Sequence, residues 1–137
     1  MKFALDACIA LKVVLPEPDS DLARALMEDY KNRVHDLIAP DTLPVEVAHA
    51  MTRAERQGVL LPADGFHRFQ QFTAAMPKLH DYKPLLPRAY ELSSQFRIGV
   101  FDCLYIALGE REQCKVVTVD KRMITLFPSL TVSLESL

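Results

Sequence analysis

The chain has 137 residues, half of them hydrophobic and a quarter charged, which suffices for one domain with a single core over residues 1–137 and leaves no room for two. No apolar run approaches the roughly 20 residues of a membrane-spanning helix, and three cysteines without a CxxC spacing argue against a disulfide framework or a structural zinc site. A net charge of −2 counts against a protein that holds nucleic acid through its overall field, so any such binding must rest on a local patch.

The chain opens on MKFALDACIALKVVLPEP. Residues 2–6 read as a short buried strand, followed by helical patterning that breaks at Leu15-Pro16-Glu17-Pro18. Asp6 interrupts the basic-then-apolar pattern of a signal peptide, so a cytoplasmic location is the expectation. Asp19 or Ser20 can cap a second helix, with Leu22, Ala23, Leu26 and Met27 at helical spacing. Leu37-Ile38-Ala39 is a second short strand, ended by Pro40. Asp41 or Thr42 can cap the next helix, whose first turn suits Pro44 and whose stripe is Val47, Ala50, Met51 and Ala54. It stops at Gly58. Pro62 begins another helix, in which Phe66, Phe69 and Phe72 read as core.

Residues 78–82 suit a brief edge strand, and a helix runs from about Arg88 to Phe96. After Gly99, VFDCLYIALGERE is apolar on nearly every side and predicts a central buried helix. KVVTV is the clearest strand, Asp120 follows it with a short helical turn behind, and LTVSL is the last strand. Strands alternating with helices predict an α/β domain with a mainly parallel sheet and right-handed connections.

Ligand sites in such sheets form beyond the carboxyl ends of the strands. Asp6 and Asp120 stand at those ends, so both belong to one edge. Glu46 lies in the first turns of a helix among Leu43, Val47 and Ala50. Asp102 begins the most apolar helix, between Phe101 and Cys103. Each acid alone has an ordinary reading, as a cap or a charge favoured by the helix dipole, worth about 0.3–1 kcal/mol. Capping explains less well why four acids gather where their neighbours are apolar. Like charges held close raise one another's pKa, and a divalent cation removes that cost. Hard oxygen donors suit Mg²⁺ or Mn²⁺ rather than zinc.

The pattern resembles the PIN-domain family, in particular its VapC-like toxins. LDACIALKVVLPEP is similar to that family's opening strand and helix, LPVEVAHAM to its glutamate-bearing helix, GVFDCLYIALGE to its central helix, and VVTVDKRM to its strand ending in Thr and Asp. The resemblance implies a three-layer α/β/α domain and a Mg²⁺- or Mn²⁺-dependent endoribonuclease. It makes Asp6 and Asp102 the principal metal ligands, with Glu46 and Asp120 completing the shell. It also implies that Thr118 lies beside the pocket, where it orients a ligand or a water. An RNA substrate, a cognate antitoxin protein and a homodimer are further implications. A receiver-type phosphoacceptor fits poorly, because Asp6 is followed by Ala7, Lys121 by Arg122, and Glu46 and Asp102 are left idle. A catalytically silent binding module of the same fold is the remaining alternative.

Two positions depart from the family pattern. Cys8 stands where a Ser or Asn is usual, and His49 where an Asn is. A thiol is the weaker hydrogen-bonding group. Lys12, Arg53, Arg56, Lys121 and Arg122 are candidates to hold phosphates at the rim, Lys121 and Arg122 foremost because they follow Asp120. An interface with a second copy or an antitoxin segment is the other reading of the phenylalanine run.

Overall fold

Each short apolar run bounded by turn residues forms a strand. In the computed structural model, which describes residues 1–137, these are β1 (Lys2–Leu5), β2 (Asp36–Pro40), β3 (Lys78–His80), β4 (Lys115–Thr118) and β5 (Thr131–Ser133). Seven α-helices connect them: α1 (Ala7–Val14), α2 (Ser20–Lys31), α3 (Leu43–Arg56), α4 (Pro62–Thr73), α5 (Leu86–Phe96), α6 (Val100–Glu112) and α7 (Lys121–Leu126).

The sheet has the order β3-β2-β1-β4-β5, and every pairing in it is parallel. Phe3, Ala4 and Leu5 of β1 stand opposite Lys115, Val116 and Val117 of β4. From β1 the chain steps outward to β2 and β3, then returns across the sheet to β4 and β5. Right-handed crossovers in opposite directions put α1–α4 on one face and α5–α7 on the other. The reversal opens a crevice at the carboxyl ends of β1 and β4, the switch point where α/β sheets place their ligands.

The core runs through both layers. In α6 every residue from Cys103 to Gly109 is buried. Gly109 lets this helix lie close to the β4 entry: a Cβ there would sit 2.9 Å from the Cys114 carbonyl oxygen and 3.1 Å from Val116 Cγ2. No helix is long and apolar enough to cross a membrane.

The caps differ from expectation. Asp19 precedes α2 in the left-handed region (φ 64°) and makes no capping bond. Ser20 instead accepts from the Glu17 amide at 3.0 Å and donates to the Leu15 carbonyl at 3.0 Å, closing the proline-containing turn. Asp41 accepts from the Tyr82 amide at 3.1 Å and so ties the loops after β2 and β3 together. Thr42 makes no backbone cap; its hydroxyl faces Glu46. α5 starts at Leu86, two residues before Arg88, with Pro87 inside its first turn.

The phenylalanine run is not a core stripe. Phe72 is buried, Phe69 is half-buried and Phe66 is 62 % exposed. A spacing of three falls short of the helical repeat by about 60° per step, so the three rings fan out around the helix.

Replacing glycine by alanine inside a helix normally stabilises it by about 1 kcal/mol. At Gly109 the opposite sign is expected, because the new methyl group meets backbone and a packed valine. Urea denaturation of Gly109→Ala should show a loss in the range of about 1–3 kcal/mol. A gain would show that α6 and β4 have room to separate.

Candidate metal-dependent active site

Asp6 is the first residue after β1, and its amide donates to the Val117 carbonyl of β4 at 3.2 Å. It therefore stands in the crevice between the two central strands. Asp6 is the N-cap residue of α1, yet its side chain makes no capping bond. Instead Oδ2 accepts from the Thr118 hydroxyl at 2.7 Å and from the Cys8 thiol at 3.1 Å. Thr118, the last residue of β4, is fully buried, and its hydroxyl also accepts from the Asp120 amide at 3.0 Å. One hydroxyl thus fixes the carboxylate after β1 and the turn after β4. Cys8 lies in the same network, 3.4 Å from the Thr118 oxygen, so it is more than a small apolar filler.

Glu46 is in the first turn of α3. Its Oε1 accepts from Tyr105 of α6 at 2.9 Å and from Thr42 at 3.3 Å. Asp102 is in the first turn of α6, with Oδ2 at 3.5 Å from an Arg122 nitrogen. Asp120 is the N-cap of α7, its Oδ1 accepting from the amides of Arg122 at 2.9 Å and Met123 at 3.4 Å. Of the two capping alternatives only that of Asp120 is realised, while Glu46 and Asp102 do lie in first turns, where the helix dipole favours an acid.

The acids feel one another. Burial raises the pKa of Asp6 most, Thr118 and Cys8 oppose that, and the charge of Asp120 adds to it. Burial likewise pushes Glu46 up to about 7 from its ordinary 4.5, against the Tyr105 hydrogen bond and with the charges of Asp6 and Asp102. Asp102 is raised by burial and then by Asp6 and Asp120, with Arg122 pulling the other way. Each of the four therefore lies within the electrostatic reach of at least one other.

A common pattern runs through the set. Each carboxylate has one oxygen engaged and the other without a side-chain donor: Asp6 Oδ2, Glu46 Oε1, Asp102 Oδ2 and Asp120 Oδ1 are the engaged ones. As the side chains stand, no three acid, imidazole or thiol groups surround one point in ligating geometry. The donor set itself, hard carboxylate oxygens on a raised-pKa cluster, fits Mg²⁺ or Mn²⁺.

A family model for the PIN domain matches residues 3–126. The chain belongs to the PIN domain family. It is similar to a Pyrobaculum aerophilum protein named Ribonuclease VapC3, with 28 % identity over 133 residues that cover 95 % of this chain and 98 % of that one. Its fold is similar to that of PAE2754 from Pyrobaculum aerophilum (TM-score 0.74, 14 % identity, 98 % of this chain and 93 % of that one). It is also similar to VapBC2 from Rickettsia felis, crystallised with a DNA fragment from its promoter (TM-score 0.72, 13 % identity, 97 % and 98 % covered). The three-layer PIN architecture expected from the sequence is the one observed, with α-helices on both faces of the parallel sheet.

The rim cations sort themselves. Lys12 is buried, donates to the Pro18 carbonyl at 2.7 Å and pairs with Glu17 at 3.7 Å, so it closes the α1–α2 turn instead of lining the pocket. Arg53 and Arg56 are exposed in the last turn of α3, at the opposite end from Glu46. Lys121 and His49 are exposed. Arg122 reaches the cluster while staying 58 % exposed, so its ion pair is screened and worth at most about 1 kcal/mol. Tyr105 was not among the expected site residues. Its signal was a lone hydroxyl in an otherwise apolar helix, one turn beyond Asp102.

The raised carboxyl pKa values give a signed pH dependence for protein freed of metal with EDTA. Below about pH 4.5 Glu46 is protonated both folded and unfolded and contributes nothing. Between its unfolded value of 4.5 and its folded value of about 7, the unfolded chain has released the proton and the fold has not, so stability falls as pH rises. Asp6 and Asp102, also raised, act in the same sense. The melting temperature of Glu46→Gln relative to wild type should climb steadily across that window and then level off. A constant difference would show that Glu46 is solvated in the fold.

Proposed function

We propose that this protein is a divalent-metal-dependent endoribonuclease, the toxin of a type II toxin–antitoxin pair. The observation that carries the reading is the gathering of Asp6, Glu46, Asp102 and Asp120 at the switch point of a parallel sheet, each raised or adjoining a raised acid. Similarity to Ribonuclease VapC3 over 95 % of the chain supports RNA as the substrate. The VapBC2 likeness supports the fold and accords with an antitoxin as the partner. We extend the reading to a homodimer, to a cytoplasmic location and to residues 1–137 acting as one nuclease domain.

Cleavage of an RNA strand by water needs a nucleophile activated at neutral pH and charge neutralisation on the phosphate. A Mg²⁺ or Mn²⁺ ion supplies both when bound. Asp6 and Asp102 would hold it, with Glu46 and Asp120 completing the shell directly or through water. The chain's own parts set the geometry. Thr118 keeps Asp6 and Asp120 in fixed relation through its two hydrogen bonds. Cys8 keeps its proton, because burial and the charge of Asp6 push it up to about 12, so it donates to Asp6 and does not compete as a nucleophile. Arg122, mostly exposed and beside Asp102, is the cation placed to meet a phosphate at the pocket mouth.

An ion contributing several kcal/mol of transition-state stabilisation corresponds to a rate factor of about 100 or more. Asp6→Asn and Asp102→Asn should each lower Mn²⁺-dependent cleavage of RNA by at least that factor while the protein melts no lower than wild type in EDTA. Calorimetric titration with Mn²⁺ should lose its heat in both variants. Wild-type protein that binds no divalent ion, or variants that bind it equally well, would instead support the silent binding module.

A further inference from the structure

Tyr105 is completely buried in α6, among apolar residues, and it carries a polar hydroxyl. Such a group is costly in a core unless it is hydrogen-bonded. Its partner is Oε1 of Glu46, at 2.9 Å and on a different helix. We propose that Tyr105 is a positioning residue for the acid cluster: it ties Glu46 to the helix that carries Asp102, so that Oε2 is presented to a bound divalent cation. This inference rests on the metal-dependent reading of the site.

Three features of the geometry support it. Tyr105 stands three residues after Asp102, one turn on and on the same side of α6. The helix that contributes one acid therefore fixes the other. Thr42, the second donor to Oε1, is longer at 3.3 Å and four residues before Glu46, so it relates the carboxylate to its own helix alone. Only the phenol links α3 to α6 at this point. The bond also repeats an arrangement found on the other side of the pocket, where the Thr118 hydroxyl of β4 holds Oδ2 of Asp6 at 2.7 Å. In both cases a buried hydroxyl from a neighbouring element engages one carboxylate oxygen and leaves the other without a side-chain donor.

A hydrogen bond from an uncharged donor to a carboxylate is stronger than a neutral pair and fixes ring and carboxylate together. The phenol is the donor in this bond and the carboxylate oxygen the acceptor. Groups that orient metal ligands from behind typically change metal affinity or activity by about 10–100-fold when removed.

The test is Tyr105→Phe, which deletes one oxygen and keeps the ring. Calorimetry with Mn²⁺ on the metal-free full chain should show affinity reduced by roughly tenfold or more. Cleavage of an RNA oligonucleotide should lose kcat with little change in KM, and the melting temperature in EDTA serves as the fold control. A double variant settles whether the effect passes through Glu46. Tyr105→Phe combined with Glu46→Gln should bind Mn²⁺ no more weakly than Glu46→Gln alone. Unchanged Mn²⁺ affinity in Tyr105→Phe overturns the proposal while leaving the metal site standing, and so do losses that add in the double variant. Wild-type protein that binds no Mn²⁺ overturns both the site and this inference.

Discussion

Negative charge held out of water at the centre of the sheet is the constraint on which the rest of the structure depends. Asp6 is nearly inaccessible and Glu46 and Asp102 are partly so, yet all three face further acids. An isolated buried carboxylate shifts its pKa upward to stay neutral, and the raised values of these groups record that strain. Hydroxyls beside Asp6 and Glu46 and the Arg122 guanidinium beside Asp102 relieve it only in part. The fold accepts a local cost at its switch point, a cost that the proposed cation would relieve.

The supporting architecture follows from that demand. β1 and β4 are the adjacent central strands, so Asp6 and Thr118 are neighbours although 112 residues separate them. α6 is buried over seven consecutive residues, and Gly109 lets it approach the start of β4. That rigidity carries Asp102 and Tyr105 to fixed places on the pocket's second wall. Several of the chain's cations are engaged elsewhere: Lys12 on the turn after α1, Arg88 on Glu110 and Glu91, Arg111 on Glu112 and His80. Arg122 is the one that pairs with a cluster acid, and its exposure leaves it able to move.

Much of this was legible in the sequence. Strand-sized apolar runs and helix-period stripes marked all twelve elements, and the two aspartates just after strands marked the carboxyl edge. The four acids were found because each sits among apolar neighbours, where charge is unusual. What the sequence could not display depends on contacts across the fold. The bond from Tyr105 to Glu46 spans 59 positions, and the local oddity of a hydroxyl in an apolar stretch does not name its partner. Ser20, Asp41 and Thr42 look like helix caps by type, but their side chains bond to a turn, a distant loop and a glutamate. Lys12 looks like a rim cation until the proline turn folds over it. The phenylalanines fail for a different reason: a spacing of three resembles a stripe over one step, and over two steps it is not one.

The central claim is that the buried hydroxyls hold one oxygen of each inner acid so that the other meets a cation. Diffraction from crystals soaked in Mn²⁺, using the ion's anomalous signal, tests it most directly. The account expects a peak among Asp6, Glu46, Asp102 and Asp120, reached through Oδ1 of Asp6 and Oε2 of Glu46 directly or by water. The Thr118 and Tyr105 hydrogen bonds should remain in place. A peak elsewhere, or an ion held by Oδ2 of Asp6 and Oε1 of Glu46 with those hydroxyls displaced, would contradict it.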